Sequence, residues 1–128
     1  MKTALVIDDS RVMRAILGKF LGELGFEVHE AASGLEALVR IRKMQTPDIV
    51  LVDWNMPEMD GCGFLRKIRA EDAFRGVPVM MVTTESEMNQ VSVALDAGAD
   101  EYLMKPFDKA SLLEKLMLLG VDPGEKAA

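Results

Sequence analysis

The sequence predicts an α/β protein, a doubly wound sheet of five parallel strands with five helices. Three observations predict it. Short apolar runs of strand length alternate with segments of helical periodicity. The 128 residues contain no interdomain linker, repeat or low-complexity stretch, so the elements belong to one domain. Parallel strands joined by right-handed helical crossovers place helices on both faces of an open sheet.

The first half of the chain supplies three strands and two helices. In chain order these are a strand over 4–7, a helix over about 11–24, a strand over 26–31, a helix that opens at the capping box 33–36 and runs to about 44, and a strand over 49–52. Ser10 is placed to cap the first helix, and Gly25 ends it. The third strand is a continuous apolar run that ends at Asp53, which indicates burial on both faces.

The second half follows the same alternation after a loop rich in turn residues. Its predicted elements are a helix to about 69, a strand over 77–82, a helix over 86–97, a short strand over 101–104 and a helix through 119. Asp108 is placed to cap the last helix. We expect the domain to span 1–120 and residues 121–128 to form a frayed tail. Such a tail is too short for an output domain, so the output is expected to be a separate protein.

Composition limits the class of protein. The chain is 49% hydrophobic and 28% charged, as in ordinary soluble domains, and its single cysteine, Cys62, suits a reducing compartment. It shows neither a signal peptide nor an apolar stretch of about 20 residues, so a cytoplasmic protein without membrane insertion is expected. The net charge of −6 argues against direct binding of nucleic acid.

Polar side chains stand at the carboxyl ends of four predicted strands. These are Asp8 and Asp9 after the first strand, Asp53 after the third, Thr83 and Thr84 after the fourth, and Lys105 after the fifth. Because these strand ends share one edge of a doubly wound sheet, the groups are expected to converge in one pocket. Taken alone, each aspartate is equally typical of a turn or a helix cap.

Three converging carboxylates require a cation. A like-charge pair at about 4 Å is unfavourable by on the order of 4 kcal/mol at an effective dielectric near 20. Oxygen ligands suit Mg²⁺, and the sequence lacks the Cys/His spacing of a zinc site. With a lysine and a hydroxyl nearby, such a site can hold a phosphoryl group, and one aspartate can be the nucleophile. Asp53 is favoured because its strand is predicted to be central.

Four segments together carry a recognisable pattern: 8–9, 52–61, 82–85 and 98–107. In this order, and at strand ends, they resemble the response-regulator receiver domain of two-component signalling over nearly the whole chain. The run 53–57 is most similar to the single-domain receivers of chemotaxis. The resemblance implies a flavodoxin-like sheet with strand order 2-1-3-4-5.

The resemblance also implies a phosphoacceptor and a metal site. Asp53 would accept a phosphoryl group from a histidine kinase or a phosphotransfer protein. Asp8, Asp9 and Asp53 would bind Mg²⁺ together with the backbone carbonyl of Asn55. The flanking residues Asn55 and Glu85 would tune the lifetime of the phosphoryl group.

The remaining implied roles concern the switch. Thr83 would hydrogen-bond the phosphoryl group, Lys105 would pair with it, and the Lys105–Pro106 peptide would be cis. Tyr102 would turn inward as Thr83 moves. These changes would reshape the face of helix four, strand five and helix five for a separate downstream effector. The chain would be a monomer or a weak dimer and not a turnover enzyme on an external substrate.

Two other functions remain open at this point. A phosphatase of the haloacid dehalogenase type also forms an aspartyl phosphate, but it needs a second aspartate where this chain has Asn55. A docking module that is never phosphorylated would keep the fold without the chemistry. Of the ten methionines, Met117 is among those predicted to fill the core, whereas Met88 is placed on the partner face. Trp54 is expected at the rim of the site.

Overall fold

The computed structural model describes residues 2–56 and 59–122, and it confirms a five-stranded parallel sheet in the order β2-β1-β3-β4-β5. In chain order the elements are β1 Thr3–Ile7, α1 Arg11–Glu23, β2 Glu27–Ala31, α2 Gly34–Lys43, β3 Ile49–Asp53, α3 Gly61–Arg69, β4 Val79–Thr84, α4 Val91–Asp96, β5 Glu101–Lys105 and α5 Lys109–Leu118. Short 3₁₀ helices, Asp72–Phe74 and Glu85–Gln90, follow α3 and precede α4. Pro57, Glu58 and 123–128 lie outside the described residues, and so do the corresponding parts of the predicted motif and tail.

The sheet is buried on both faces because its central strands are continuous apolar runs, with polar residues only at their ends. Along β1, Leu5 and Ile7 pack into one core layer with α2 and α3, while Ala4 and Val6 pack into a second layer with α1 and α5. Each fully buried aliphatic side chain contributes about 1.5–3 kcal/mol relative to exposure. β3 lies in the middle of the sheet, which confirms the central position predicted for the strand of Asp53.

Polar side chains fix where the helices begin. The predicted caps are confirmed: Ser10 Oγ accepts from Met13 N at 3.2 Å, and Ser33 Oγ accepts from Glu36 N at 3.1 Å. Asp108 Oδ1 likewise accepts a hydrogen bond from a backbone N–H in the first turn of α5 at 2.7 Å. Each cap satisfies a backbone donor that the helix leaves free, so the chain turns sharply from strand end to helix.

Three expectations are wrong. The fourth helix does not run as one α-helix over 86–97, because a 3₁₀ helix precedes a six-residue α4. Val121 is not frayed: its side chain is 6% exposed and its N–H bonds the Leu116 carbonyl at 2.9 Å. Met117 is 63% exposed instead of filling the core, since it lies on the side of α5 that faces away from the sheet.

No described helix has both the length and the apolar character needed to cross a bilayer.

Candidate functional site at the carboxyl edge of the sheet

Three carboxylates meet at the carboxyl edge of the sheet, as the sequence predicts. Asp8 follows β1, Asp53 ends β3, and one oxygen from each of Asp8, Asp9 and Asp53 lies within 4.8 Å of the others. Asp8 and Asp53 are almost fully buried, at 1% and 6% exposure, whereas Asp9 is exposed. The cluster therefore has a buried floor and an open, acidic rim.

Asp8 is held by one oxygen and leaves the other available. Its Oδ1 accepts a hydrogen bond from Ser10 N at 2.8 Å, and its backbone carbonyl accepts from Arg14 Nη1 at 2.7 Å. The buried Oδ2 accepts no hydrogen bond from any described residue. A buried carboxylate oxygen in this state is unfavourable unless a cation or a donor reaches it.

Lys105 brings a positive charge to the two buried aspartates. Its Nζ lies 3.5 Å from Asp8 Oδ2 and 3.4 Å from Asp53 Oδ1. The peptide bond between Lys105 and Pro106 is cis, as the resemblance implies. One ammonium thus faces two buried carboxylates with the Asp9 carboxylate nearby, so the site keeps an excess of negative charge.

That excess appears in the pKa of Asp53. Burial, and next to it the charge of Asp8, raise this pKa from 3.8 to about 6, although Lys105 and a backbone hydrogen bond from Asn55 act in the opposite direction. Burial also raises the pKa of Asp8, against the hydrogen bond from Ser10. In both aspartates, burial makes the charged form less favourable than it is in water.

These observations fit a hard divalent cation. The donor set is all oxygen, one buried oxygen of Asp8 lacks a hydrogen bond from the described residues, and Asp9 opens the site to water. Mg²⁺ keeps several waters and binds through few carboxylates, which suits a site with an exposed rim. The residues present therefore fit the magnesium that the sequence predicts.

Thr83 lies at the neighbouring strand end, where its side chain is 2% exposed. Its Oγ1 donates towards the Thr84 carbonyl at 3.3 Å and lies 3.5 Å from Glu87 Oε1. Glu87 also accepts from Thr84 N at 3.0 Å and Thr84 Oγ1 at 2.9 Å. The Thr83 hydroxyl thus faces the carbonyl of Thr84, at the end of β4, and the carboxylate of Glu87 in the segment that follows.

The other predicted residues lie around this core of the site. Trp54 is half-buried, and its Nε1 donates to Gln90 Oε1 at the end of the second 3₁₀ helix. Tyr102 is half-buried against the α2–α3 layer, with Lys115 Nζ 4.1 Å from its ring centroid. Glu85 begins the 3₁₀ helix after β4; its side chain lies outside what the structure describes.

Three residues that matter to the geometry were not predicted. Arg14 has no sequence signal, because its contact with the Asp8 carbonyl depends on the angle of α1. Gly61 permits close packing: a Cβ there would lie 2.6 Å from the Asp53 carbonyl oxygen. Glu87 does carry a signal, since Thr84 and Glu87 have the spacing of a capping box, but the helix was predicted to begin at Ser86.

Comparison with known proteins agrees with this geometry. The family model of the response regulator receiver domain matches residues 4–117. A chemotaxis protein CheY homolog of Campylobacter jejuni is 44% identical over 126 residues, which is 97% of each chain. The chemotaxis protein CheY1 of Helicobacter pylori is 42% identical over 120 residues, covering 92% of this chain and 97% of that protein.

Solved structures give the same result. The chemotaxis protein CheY4 of Vibrio cholerae superposes with a TM-score of 0.85 at 34% identity, covering 94% of this chain and 98% of that one. A CheY-like receiver domain protein of Methanospirillum hungatei gives 0.83 at 31% identity, with 93% of each chain covered. The doubly wound sheet with an acidic carboxyl edge is thus the fold of a signalling receiver. The chain belongs to the response regulator receiver domain family, in its CheY-like form.

Proposed function

We propose that the chain is a phosphorylation-dependent switch of a two-component system, in which Asp53 accepts a phosphoryl group. The observation that carries the proposal is the convergence of Asp8, Asp9, Asp53 and the Lys105 ammonium at one edge of the sheet. An ion pair that only stabilises the fold does not require three carboxylates close to one lysine. A site that handles a phosphoryl group and a divalent cation needs this arrangement.

The chemistry assigns each group a task. An Asp53 carboxylate oxygen attacks the phosphorus of a phosphohistidine on a histidine kinase or phosphotransfer protein. A P–O bond forms as the P–N bond breaks, and the leaving imidazole takes up a proton from solvent. Mg²⁺, when held by Asp8, Asp9, Asp53 and the backbone carbonyl of Asn55, supplies charge that neutralises the phosphoryl oxygens.

The switch then follows from new contacts to the phosphoryl group. Lys105 Nζ already lies 3.4 Å from Asp53 Oδ1, so it pairs with a phosphoryl oxygen attached there. Thr83 turns its hydroxyl from Thr84 and Glu87 towards the phosphate, and Tyr102 moves inward behind it. These contacts exist in one of two arrangements only, so phosphorylation shifts the equilibrium between them.

The face that reports the change is formed by α4, β5 and α5. Large apolar side chains are exposed on all three elements, namely Val93, Leu95, Met104, Met117 and Leu118. Such side chains on neighbouring elements are typical of a surface that binds another protein. Met117, wrongly predicted to fill the core, is accounted for by this role. The downstream effector is thus a separate protein that binds there, and the chemotaxis proteins among the relatives make a chemotaxis effector the favoured class.

The test is intact-mass spectrometry after incubation with Mg²⁺ and acetyl phosphate. Wild type is expected to gain one phosphoryl group, and Asp53→Asn none. Asp48→Asn is the matched control, because it removes a carboxylate at the opposite end of the same strand. Chelation of Mg²⁺ is expected to abolish labelling, and Trp54 fluorescence is expected to respond to Mg²⁺ with beryllofluoride, a phosphoryl mimic.

Two outcomes contradict the proposal. Absence of any adduct on wild type, with fluorescence indifferent to Mg²⁺ and beryllofluoride, leaves a receiver-shaped docking module. Continuous release of phosphate from a phosphate ester, abolished by Asp53→Asn, identifies a phosphatase instead.

A further inference from the structure

Glu87 accepts hydrogen bonds at the carboxyl end of β4, and the proposed switch gives this residue no role of its own. Its Oε1 accepts from both the backbone N–H and the hydroxyl of Thr84, at 3.0 and 2.9 Å, and lies 3.5 Å from Thr83 Oγ1. Glu87 is half-buried and lies in the 3₁₀ helix Glu85–Gln90 that connects β4 to α4. One carboxylate oxygen therefore joins the last two residues of β4 to the segment that follows.

The Thr83 hydroxyl has a single proton to donate. Among the described residues it has two acceptors, the Thr84 carbonyl and Glu87 Oε1, and both lie at the β4–α4 junction. A phosphoryl oxygen on Asp53 must compete with them for that proton. Glu87 is the acceptor of the two that a side-chain substitution can remove.

The charge of the phosphoryl group also favours release of the Thr83 hydroxyl from Glu87. A phosphoryl group adds about −1.5 to −2 charges. This charge repels the Glu87 carboxylate, which lies one hydroxyl away from it once Thr83 has turned. Arrival of the phosphoryl group thus offers Thr83 a stronger acceptor and disfavours the present position of Glu87.

We propose that Glu87 is a positioning residue that holds the Thr83 hydroxyl in the resting arrangement, so that phosphorylation has to break this contact. The inference rests on the proposed role of Asp53 as phosphoacceptor. It explains why the segment after β4 begins as a 3₁₀ helix capped through Thr84 and Glu87: releasing Glu87 frees both Thr83 and the first turn of that segment. Phosphorylation is thereby coupled to the shape of the α4 face.

Removal of Glu87 weakens the resting state and leaves the phosphoryl contacts intact. A hydrogen bond to a charged group contributes enough to change an equilibrium several-fold. We therefore expect Glu87→Ala to tighten apparent binding of beryllofluoride about threefold to tenfold in the presence of Mg²⁺. Glu87→Gln keeps an acceptor oxygen without the charge, so its binding is expected between those of wild type and Glu87→Ala.

The experiment is a fluorescence titration of Trp54 with beryllofluoride at fixed Mg²⁺, in wild type, Glu87→Ala and Glu87→Gln. Glu114→Ala is the matched control, because it removes the same side chain from an exposed position on α5. The comparison is repeated in a Thr83→Ala background. If Glu87 acts through Thr83, its removal there produces no further change.

A second measurement needs neither ligand nor metal. The coupling constants of the Thr83 methyl group report its rotamer, and they are expected to change in Glu87→Ala and to return towards wild type in Glu87→Gln. A lower stability of Glu87→Ala with unchanged rotamer and unchanged titration midpoint identifies a helix cap only and overturns the proposal. Absence of any wild-type response to beryllofluoride instead overturns the proposed function, and with it this inference.

Discussion

Replacing Asp53 with Asn is expected to stabilise the metal-free protein at neutral pH, although the position is buried. The pKa of Asp53 is raised to about 6 by burial and by the charge of Asp8. The carboxylate form is therefore less favourable in the folded protein than in the unfolded chain, where water solvates it. Asn has nearly the same shape and carries no charge, so the unfavourable free energy of burying the carboxylate is removed.

The magnitude follows from the two pKa values. They are 3.8 in the ordinary case and about 6 in the folded protein, and each pKa unit corresponds to about 1.4 kcal/mol. Above pH 6 Asp53 is ionised in both the folded and the unfolded state, and its buried charge lowers the free energy of unfolding by about 3 kcal/mol. Between pH 6 and 3.8 the folded state binds a proton before the unfolded state does, so the penalty fades. The gain from Asp53→Asn is thus about 3 kcal/mol above pH 6 and falls to near zero below pH 4.

The assay is urea unfolding in EDTA at pH values from 4 to 7.5, with wild type and variant compared at each pH. The difference between the two proteins therefore reports the Asp53 charge together with its repulsion of Asp8. Asp48→Asn changes the net charge equally but weakens the acceptor of the Thr3 N–H, 2.8 Å away, and is expected to lose stability. A difference between Asp53→Asn and wild type that is zero, negative or independent of pH would refute the reasoning. Added Mg²⁺ is expected to reduce the stability difference between Asp53→Asn and wild type, because the ion stabilises wild type.

Two further predictions concern the close packing of Gly61 beside the site and the hydrogen bonds of Arg69 near the amino ends of β4 and β5. Gly61→Ala places a methyl group 2.6 Å from the Asp53 carbonyl oxygen, and we expect a loss of about 1–3 kcal/mol with slower labelling by acetyl phosphate. Gly22→Ala, in α1 with nothing within 4 Å of the new methyl, is its control and should gain about 0.5–1 kcal/mol in urea unfolding. Arg69→Met removes five hydrogen bonds, two of them to the Gly98 carbonyl. Its thermal unfolding should show a loss of about 2–3 kcal/mol, and an unchanged Tm would mean that these bonds are replaced by water.

The fold was predictable because it depends on patterns a few residues long. Apolar runs such as 49–52 have no alternative to burial, and caps such as Ser10 and Ser33 act on the next three residues. The convergence of the strand ends then follows from topology alone. The strand order itself came from the resemblance, because hydrophobic pattern does not distinguish which buried strands are neighbours.

The predictions that were wrong concern features set by packing or by individual hydrogen bonds, which the hydrophobic pattern does not show. Met117 has the apolar character of a core residue, and only the packing of α5 decides that its side of the helix faces solvent. Val121 was predicted to belong to a frayed tail, yet it packs in the same core layer as Leu116 and its N–H bonds the Leu116 carbonyl. The 3₁₀ start of the fourth helix depends on Glu87 reaching back to Thr84, a local signal that the apolar periodicity obscured.

A receiver requires one region that changes conformation easily within a domain that otherwise keeps its structure. The central strands are buried throughout, so change is confined to the sheet edge and the segment after β4. α4 is six residues long, and its far end is fixed where Arg69 donates to the Gly98 carbonyl. Its near end is held by Glu87, within reach of Thr83. A phosphoryl group can shift an equilibrium only through contacts that differ between two states. In this chain those contacts lie at the near end, which makes the β4–α4 junction the hinge of the proposed switch.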